Sequence, residues 1–157
     1  QTSLEELLFR GYYMQGLALW IKNKWAPLII MSLVFGLLHG MNPEIEKLGY
    51  IALVFYIGTG LFFGIVSLMD EGIELAMGMH AVNNILAALF VTTDWTVFQT
   101  EALFVDVSEP SLGMEMFLPV FILYPAVFFI FSKKYGWSNW KDKIFGKLEK
   151  PSFIEIE

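Results

Sequence analysis

Four long apolar runs constrain the fold of this chain more than any other feature of its sequence. They cover residues 27–40, 50–69, 75–92 and 116–132. Each run reaches or approaches the length of about 17–25 residues that a membrane-spanning helix needs. Their apolar residues are continuous rather than alternating, which favours helices over the strands of a membrane barrel. Because 56% of the residues are hydrophobic, against about 45–50% in a soluble domain, the sequence predicts an integral membrane protein.

A fifth helix is expected ahead of these runs. Residues 4–21 have a helical pattern, with Ser3 as a suitable N-cap and two acids in the first turn. The expected fold is all-α, a polytopic transmembrane bundle with about five membrane helices in this chain. Since a charged segment stands at the start and residue 1 is not Met, we expect a chain truncated at the N-terminus, with earlier helices in a longer protein. The expected division is a membrane-embedded bundle, 1–132, and a basic, aromatic, amphipathic tail, 133–157.

The distribution of lysines predicts the orientation in the membrane. Six lysines follow residue 132, two lie at 22–24, and the acidic segment 93–115 has none. Positive residues are enriched in cytoplasmic segments, so we expect a multi-pass protein whose tail is cytoplasmic and lies on anionic lipids. Membrane lipids are therefore expected partners. Nothing in the sequence is typical of a nucleic-acid-binding patch, and the absence of cysteine excludes thiolate chemistry.

A few strongly polar side chains interrupt the apolar helices. They are Glu5, Glu6, Arg10, His39, His80, Asn83 and Asn84. Ionisable groups at membrane depth are costly and usually face the bundle interior or a water-filled cavity. Three pairs have the i,i+4 spacing that places both side chains on one helix face: Glu6 with Arg10, Phe35 with His39, and His80 with Asn84. Glu6 and Arg10 are expected to form an ion pair that leaves the carboxylate of Glu5 outside it.

Each polar residue alone has a purely structural interpretation. The two acids could serve the helix dipole, each histidine could be a packing residue, and an asparagine could join two helices. Together, however, a carboxylate, two imidazoles and an amide are the groups that amide hydrolysis needs. A desolvated glutamate can activate water, one imidazole can hold that water, and the other imidazole and the amide can donate to an oxyanion.

Other protease designs are not represented in the sequence. There is no HExxH zinc motif, no GxGD motif with a second membrane aspartate, and no GxSxG nucleophile motif. The remaining combination of glutamate, histidine and asparagine occurs in three short motifs. "EELLFR" (5–10) fits EExxxR, "FGLLH" (35–39) fits FxxxH, and "HAVNN" (80–84) fits HxxxN.

In these three motifs and their order, the chain resembles the CPBP family of CAAX proteases and bacteriocin-processing enzymes, also called Abi proteins. The family includes the Ras-converting CAAX endopeptidase. The resemblance implies a metal-independent glutamic endopeptidase that cleaves a membrane-associated or prenylated substrate. The chain is more similar to bacterial than to eukaryotic members, which implies a location in the bacterial cytoplasmic membrane. It also implies that Glu5 is the general base, that His39 helps to activate water, and that His80 and Asn84 form the oxyanion site.

The same resemblance assigns supporting roles to Glu6, Arg10 and Phe35, and it implies no cofactor. Two alternatives remain open at this point. The first is a zinc-dependent hydrolase, because Glu5, His39 and His80 would suit a zinc site with an open coordination position. The second is a non-enzymatic immunity or assembly protein, because some family members are assigned to bacteriocin immunity. The lysine-based topology places Glu5 and His39 towards one membrane face and His80 nearer the other. A shared site therefore requires a tilted helix, a re-entrant start to the His80 helix, or a topology different from the one that the lysines predict.

Overall fold

Eight α-helices account for most of residues 1–148, which are the residues that the computed structural model describes. The helices are α1 (Thr2–Glu6), α2 (Met14–Ile21), α3 (Trp25–Leu38), α4 (Pro43–Leu48), α5 (Leu53–Asp70), α6 (Glu74–Phe90), α7 (Tyr124–Tyr135) and α8 (Trp140–Phe145). Short π-helical or 3-10 stretches adjoin them at Leu7–Tyr13, His39–Met41, Tyr50–Ala52, Met114–Phe117 and Pro119–Leu123. The predicted helical class is confirmed.

Helix α1, the π-helical stretch Leu7–Tyr13 and helix α2 form one continuous rod, called the first rod below. Residues on both sides of the π-helical stretch Leu7–Tyr13 keep right-handed helical backbone angles, and the rod ends where Lys22 adopts a left-handed conformation with φ 63°. The predicted helix 4–21 is therefore present, with a wider turn in its middle. The wider turn begins directly after Glu6 and contains Arg10, the two residues expected to form an ion pair.

Two helices of the described chain are long and apolar enough to cross a membrane. They are Tyr50–Asp70 and Met114–Tyr135, and the apolar helix Trp25–Met41 is shorter. In the most apolar part of Met114–Tyr135, no residue is buried within the bundle, as expected for a helix that faces lipid. The count of about five membrane helices stays a prediction.

Helices α3 and α5 pack closely because α5 carries glycines on the shared face. The sequence predicts this close approach from the Gly60-xxx-Gly64 spacing. A Cβ on Gly60 would lie 3.1 Å from the Cα and carbonyl oxygen of Ser32, and one on Gly64 would collide with Leu28. The prediction is confirmed, and the close contact brings the backbone of Gly60 within reach of the polar residues on the first rod.

The segment between α3 and α5 and the loop after α6 contain structure that the sequence did not predict. Helix α4 begins at Pro43, a favoured first-turn position for proline, and buries Ile45 and Leu48. After α6, the two-residue strands β1 (Val91–Thr92) and β2 (Phe104–Val105) pair in parallel. The all-α prediction therefore needs the addition of this short pair.

The described part of the predicted tail packs against the end of the bundle. The Trp137 side chain is buried and donates from Nε1 to Asp70 at 3.1 Å, and Lys143 Nζ donates to the carbonyl oxygen of Met69 at 2.8 Å. Residues 149–157, which complete the predicted tail, lie outside the described residues. The separation of a tail domain at residue 133 and its place on the cytoplasmic leaflet stay predictions.

Candidate active site

The ion pair of Glu6 and Arg10 lies at the centre of the polar cluster. Arg10 donates to Glu6 Oε1 at 3.1 Å, and the two side chains are 2% and 0% exposed. The guanidinium also donates to the carbonyl oxygen of Gly60 at 3.0 Å and lies 4.7 Å from the centre of the Phe35 ring. The pair expected from the i,i+4 spacing is present, and its arginine links the first rod to α5 and α3.

Helix α6 brings His80 into the same cluster. Ile73, which precedes α6, packs over Gly11 in the middle of the first rod. His80 follows Ile73 by about two helical turns, which places it beside Glu6. In the buried imidazole of His80, Nδ1 lies 2.7 Å from Glu6 Oε1, and Nε2 lies 3.7 Å from Glu5 Oε2. Glu5, Glu6 and His80 therefore meet in one cluster, whereas the orientation of the helices in a membrane stays a prediction.

Glu5 differs from Glu6 in its partners. Its Oε1 accepts a hydrogen bond from the side chain of Gln1 at 2.9 Å, whereas its buried Oε2 accepts none from any residue in the described chain. The ion pair with Arg10 does not include Glu5. One carboxylate oxygen of Glu5 thus keeps its lone pairs beside His80, as a general base requires.

His39 is held by contacts around its ring. Its Nδ1 lies 2.7 Å from the carbonyl oxygen of Phe35, and because a carbonyl can only accept, Nδ1 carries the proton. In the neutral ring Nε2 is then an acceptor. The face of the ring stacks on Tyr56, with centroids 4.3 Å apart and planes 19° from parallel. This tautomer suits a residue that accepts a hydrogen bond from water.

Asn84 lies one turn beyond His80 on α6. Its side-chain oxygen accepts a hydrogen bond from Asn83 at 3.1 Å, so the amide N–H groups are left for another acceptor. Asn84 is half-buried and Asn83 is exposed. The HxxxN spacing therefore places the amide of Asn84 on the same face of α6 as His80.

One cavity of about 800 Å³ joins the predicted site residues. Glu5, Phe35, His39, His80 and Asn84 all contribute to its wall, whereas Glu6 and Arg10 lie behind the wall. The site residues come from the first rod, from the C-terminal end of α3 and from α6. Three helices that are distant in sequence thus present their polar residues to a single space.

The wall also contains residues that the sequence did not single out. Loop 93–115, expected only to be polar and acidic, lines much of the cavity, including Trp95, Asp106 and Glu115. Hydrogen bonds from the side chain and backbone of Ser108 lower the pKa of Asp106, so this carboxylate stays ionised at neutral pH. Glu44, which also contributes to the wall, is buried beside Tyr56. The proline before Glu44 was the one sequence signal of a helix there.

The polar cluster has no evident set of metal ligands. Within residues 1–148, no group of three histidine, aspartate or glutamate side chains is arranged to hold a metal ion. The three residues considered for zinc, Glu5, His39 and His80, share the cavity but do not form a ready ligand set. His80 Nδ1 is instead engaged by Glu6.

Comparison with known proteins agrees with the geometry. The chain matches the family described as type II CAAX prenyl endopeptidase Rce1-like over residues 2–86, which include all three motifs. It is 34% identical over 98 residues to the uncharacterised protein YyaK of Bacillus subtilis (strain 168). That match covers 62% of this chain and 33% of YyaK, so the chain spans about a third of that curated relative. No solved structure matches it. The chain belongs to the Rce1-like family of type II CAAX prenyl endopeptidases.

Proposed function

We propose that this chain carries the active site of an intramembrane endopeptidase that hydrolyses a peptide bond with water activated by Glu5. The observation that carries the proposal is the single cavity whose wall includes Glu5, His39, His80 and Asn84. Family membership supports peptide hydrolysis as the reaction class. The four residues supply a base, a water-holding imidazole and two donors, which is the set that the reaction needs.

The reaction begins with a water molecule between Glu5 and His39. The unpaired Oε2 of Glu5 takes one proton from the water, while Nε2 of His39 accepts a hydrogen bond from the other. The water oxygen attacks the scissile carbonyl carbon, and the carbonyl π electrons move to its oxygen. The resulting tetrahedral intermediate collapses when Glu5 passes its proton to the leaving amine. The C–N bond breaks, and its electron pair stays on the leaving nitrogen. One water is consumed, and a carboxylic acid and an amine are formed, which exchange one proton to give a carboxylate and an ammonium group.

His80 and Asn84 stabilise the oxyanion in this proposal. Their spacing on α6 places an imidazole and an amide on one wall of the cavity. Nδ1 of His80 donates to the Glu6 carboxylate at 2.7 Å, and the proposed hydrogen bond to the oxyanion comes from an N–H at Nε2 of the same ring.

The substrate that we propose is a membrane-associated peptide with a prenylated cysteine near its C-terminus. The family description refers to prenyl endopeptidases of CAAX substrates. Aromatic side chains in the cavity wall support an apolar ligand; they include Phe9, Phe35, Phe55, Trp95 and Phe98. The polar catalytic groups and this apolar lining share one space, as cleavage next to a lipid group requires.

The proposed setting is a multi-pass protein of the bacterial cytoplasmic membrane whose C-terminal tail faces the cytoplasm. The exposed apolar surface of Met114–Tyr135 supports contact with lipid. Lys133 and Lys134 end α7, which supports a cytoplasmic end by the positive-inside rule.

A peptide assay tests the proposed activity. The full chain is reconstituted in vesicles with a peptide whose farnesylated cysteine precedes three C-terminal residues, and the products are identified by mass spectrometry. We expect release of the three residues as one peptide. The same peptide without farnesyl should be cleaved at least about tenfold more slowly, because burying each CH₂ is worth about 0.8 kcal/mol.

The result also separates the alternatives. Failure to cleave either peptide, with the protein folded, would favour a non-enzymatic immunity or assembly role. Equal cleavage of both peptides would leave a peptidase but exclude prenyl recognition. Cleavage that requires added zinc would favour a zinc-dependent hydrolase.

A further inference from the structure

The proposed water-holding residue, His39, packs against a residue outside all three motifs. The Tyr56 ring covers one face of the His39 imidazole at a centroid distance of 4.3 Å and an interplanar angle of 19°. Both residues line the cavity. Tyr56 lies on α5, whereas His39 directly follows α3, so the stack joins α5 to the C-terminal end of α3 at the cavity.

The hydroxyl group of Tyr56 is held by Glu44. It donates a hydrogen bond to Glu44 Oε1, which also accepts from the side chain of Asn42 at 3.1 Å. The Glu44 side chain is 7% exposed. A buried carboxylate with two donors on one oxygen is a firm anchor, because breaking either bond removes part of the hydrogen bonding that replaces water around a buried polar group.

The same carboxylate holds the loop that covers the cavity. Its second oxygen, Oε2, accepts from the backbone N–H of Val97 at 3.0 Å. Glu44 therefore connects α4, α5 and loop 93–115 while lying outside the set of residues that the mechanism uses. Within residues 1–148, the hydrogen bonds of Glu44 go to Asn42, Tyr56 and Val97 rather than to Glu5 or His80, and Tyr56 is the one of these partners that stacks on a proposed catalytic residue.

We propose that Tyr56 is a positioning residue for His39 and that Glu44 holds Tyr56 in place. This inference rests on the proposed function of His39 and extends it to two residues that the motifs do not include. The hydrogen bond from Nδ1 to the Phe35 carbonyl fixes one edge of the imidazole but still permits it to tilt. The Tyr56 ring prevents that tilt, and so it directs Nε2 toward the water held by Glu5.

Substitutions of Tyr56 separate its ring from its hydroxyl. Tyr56→Leu removes the stack, and we expect kcat for the farnesylated peptide to fall about tenfold to a hundredfold at nearly constant KM, since a 1 Å misplacement can cost about a hundredfold. Tyr56→Phe keeps the stack but loses the anchor, and a loss of about twofold to fivefold is expected. Tyr50→Leu is the matched control, because Tyr50 is 79% exposed and is not part of the cavity wall.

Histidine NMR gives a readout that a purely structural role would not change. The chain contains two histidines, so selective labelling yields two sets of ring signals, assigned with His39→Gln. Stacking on Tyr56 should shift the His39 ring protons upfield. We expect Tyr56→Leu to remove that shift while the His80 signals stay in place, and Tyr56→Phe to retain it.

The outcomes are decisive in both directions. Unchanged kcat and unchanged His39 signals in Tyr56→Leu would overturn the inference. If Tyr56→Leu does not fold, Tyr56→Phe decides: a small loss of kcat with broadened His39 signals supports the anchor, and no change in either overturns it. Glu5→Gln is assayed alongside. If Glu5→Gln is as active as wild type, the proposed function fails. If Glu5→Gln is inactive but Tyr56→Leu has full activity, only the positioning role of Tyr56 is rejected.

Discussion

Nδ1 of His80 lies 2.7 Å from Oε1 of Glu6, the same oxygen that accepts the hydrogen bond from Arg10 at 3.1 Å. One carboxylate oxygen thus joins a residue of α6 to the first rod, across a separation of 74 residues. The EExxxR and HxxxN motifs are coupled through this atom. Glu5 is left with an unpaired oxygen beside the same imidazole.

The Glu6–Arg10 pair is expected to behave as a unit in stability measurements. Arg10→Met should lower the free energy of unfolding by about 3–5 kcal/mol, because it leaves a buried carboxylate without its main partner. The double variant Glu6→Gln/Arg10→Met removes both charges and should recover more than half of that loss. Unfolding in detergent titrations measures both values. Equal losses in the single and double variants would show that the pair is not coupled.

Two substitutions on α6, one in the cavity wall and one outside it, test the oxyanion site. Asn84→Ala should lower kcat about 10²–10³-fold with little change in KM, because removing one oxyanion donor typically costs that much. Val82→Ala changes an exposed side chain of the same helix that is not part of the cavity wall, and it should leave kcat within about twofold, as expected of a surface substitution. Steady-state kinetics on the farnesylated peptide compare the two. A similar small effect in both would remove Asn84 from the mechanism.

The contact between α3 and α5 depends on Gly60. Gly60→Ala introduces a Cβ 3.1 Å from the backbone of Ser32 and 3.2 Å from Phe35, and should lower the free energy of unfolding by about 1–3 kcal/mol through overpacking. Gly16→Ala is the control, since its Cβ would meet nothing within 4 Å, and it should be neutral or stabilising by up to about 1 kcal/mol. Thermal unfolding followed by tryptophan fluorescence distinguishes them. A stable Gly60→Ala protein would contradict the close packing.

Treatment with a chelator tests the metal-independent mechanism. Glu6 already engages His80, and no set of three ligands is assembled in residues 1–148. We therefore expect peptide cleavage to be unchanged after incubation with 1,10-phenanthroline and dialysis. The matched control is the same protein dialysed without chelator, with zinc content determined for both samples. Loss of activity that returns on adding zinc would support the zinc alternative.

Local sequence patterns predict the helices and the contacts within them. The apolar runs place α3, α5, α6 and the last long helix, and the i,i+4 spacing predicts the Glu6–Arg10 pair. The glycine spacing in α5 predicts its close contact with α3. These features depend on residues within a few turns of each other, so helical geometry alone determines them.

Contacts between distant segments could not be predicted in the same way. Nothing in the spacing of the sequence indicates that Glu6 lies beside His80, because this depends on α6 beginning opposite Gly11. Glu44 and Tyr56 are only 12 residues apart, but their contact depends on α4, whose six residues are too few for a clear periodic pattern. The contribution of loop 93–115 to the cavity likewise depends on its fold rather than its composition.

The comparison of Glu5→Gln with wild type tests the central claim most directly. Initial rates on the farnesylated peptide are measured at equal folded fractions, with Glu101→Gln as a control for an exposed glutamate outside the cavity. Because Gln keeps the size of the side chain but cannot take a proton, we expect kcat to fall about 10²–10⁴-fold with unchanged unfolding temperature, while Glu101→Gln matches wild type. A Glu5→Gln protein that cleaves the peptide at the wild-type rate would contradict the assignment of Glu5 as the base.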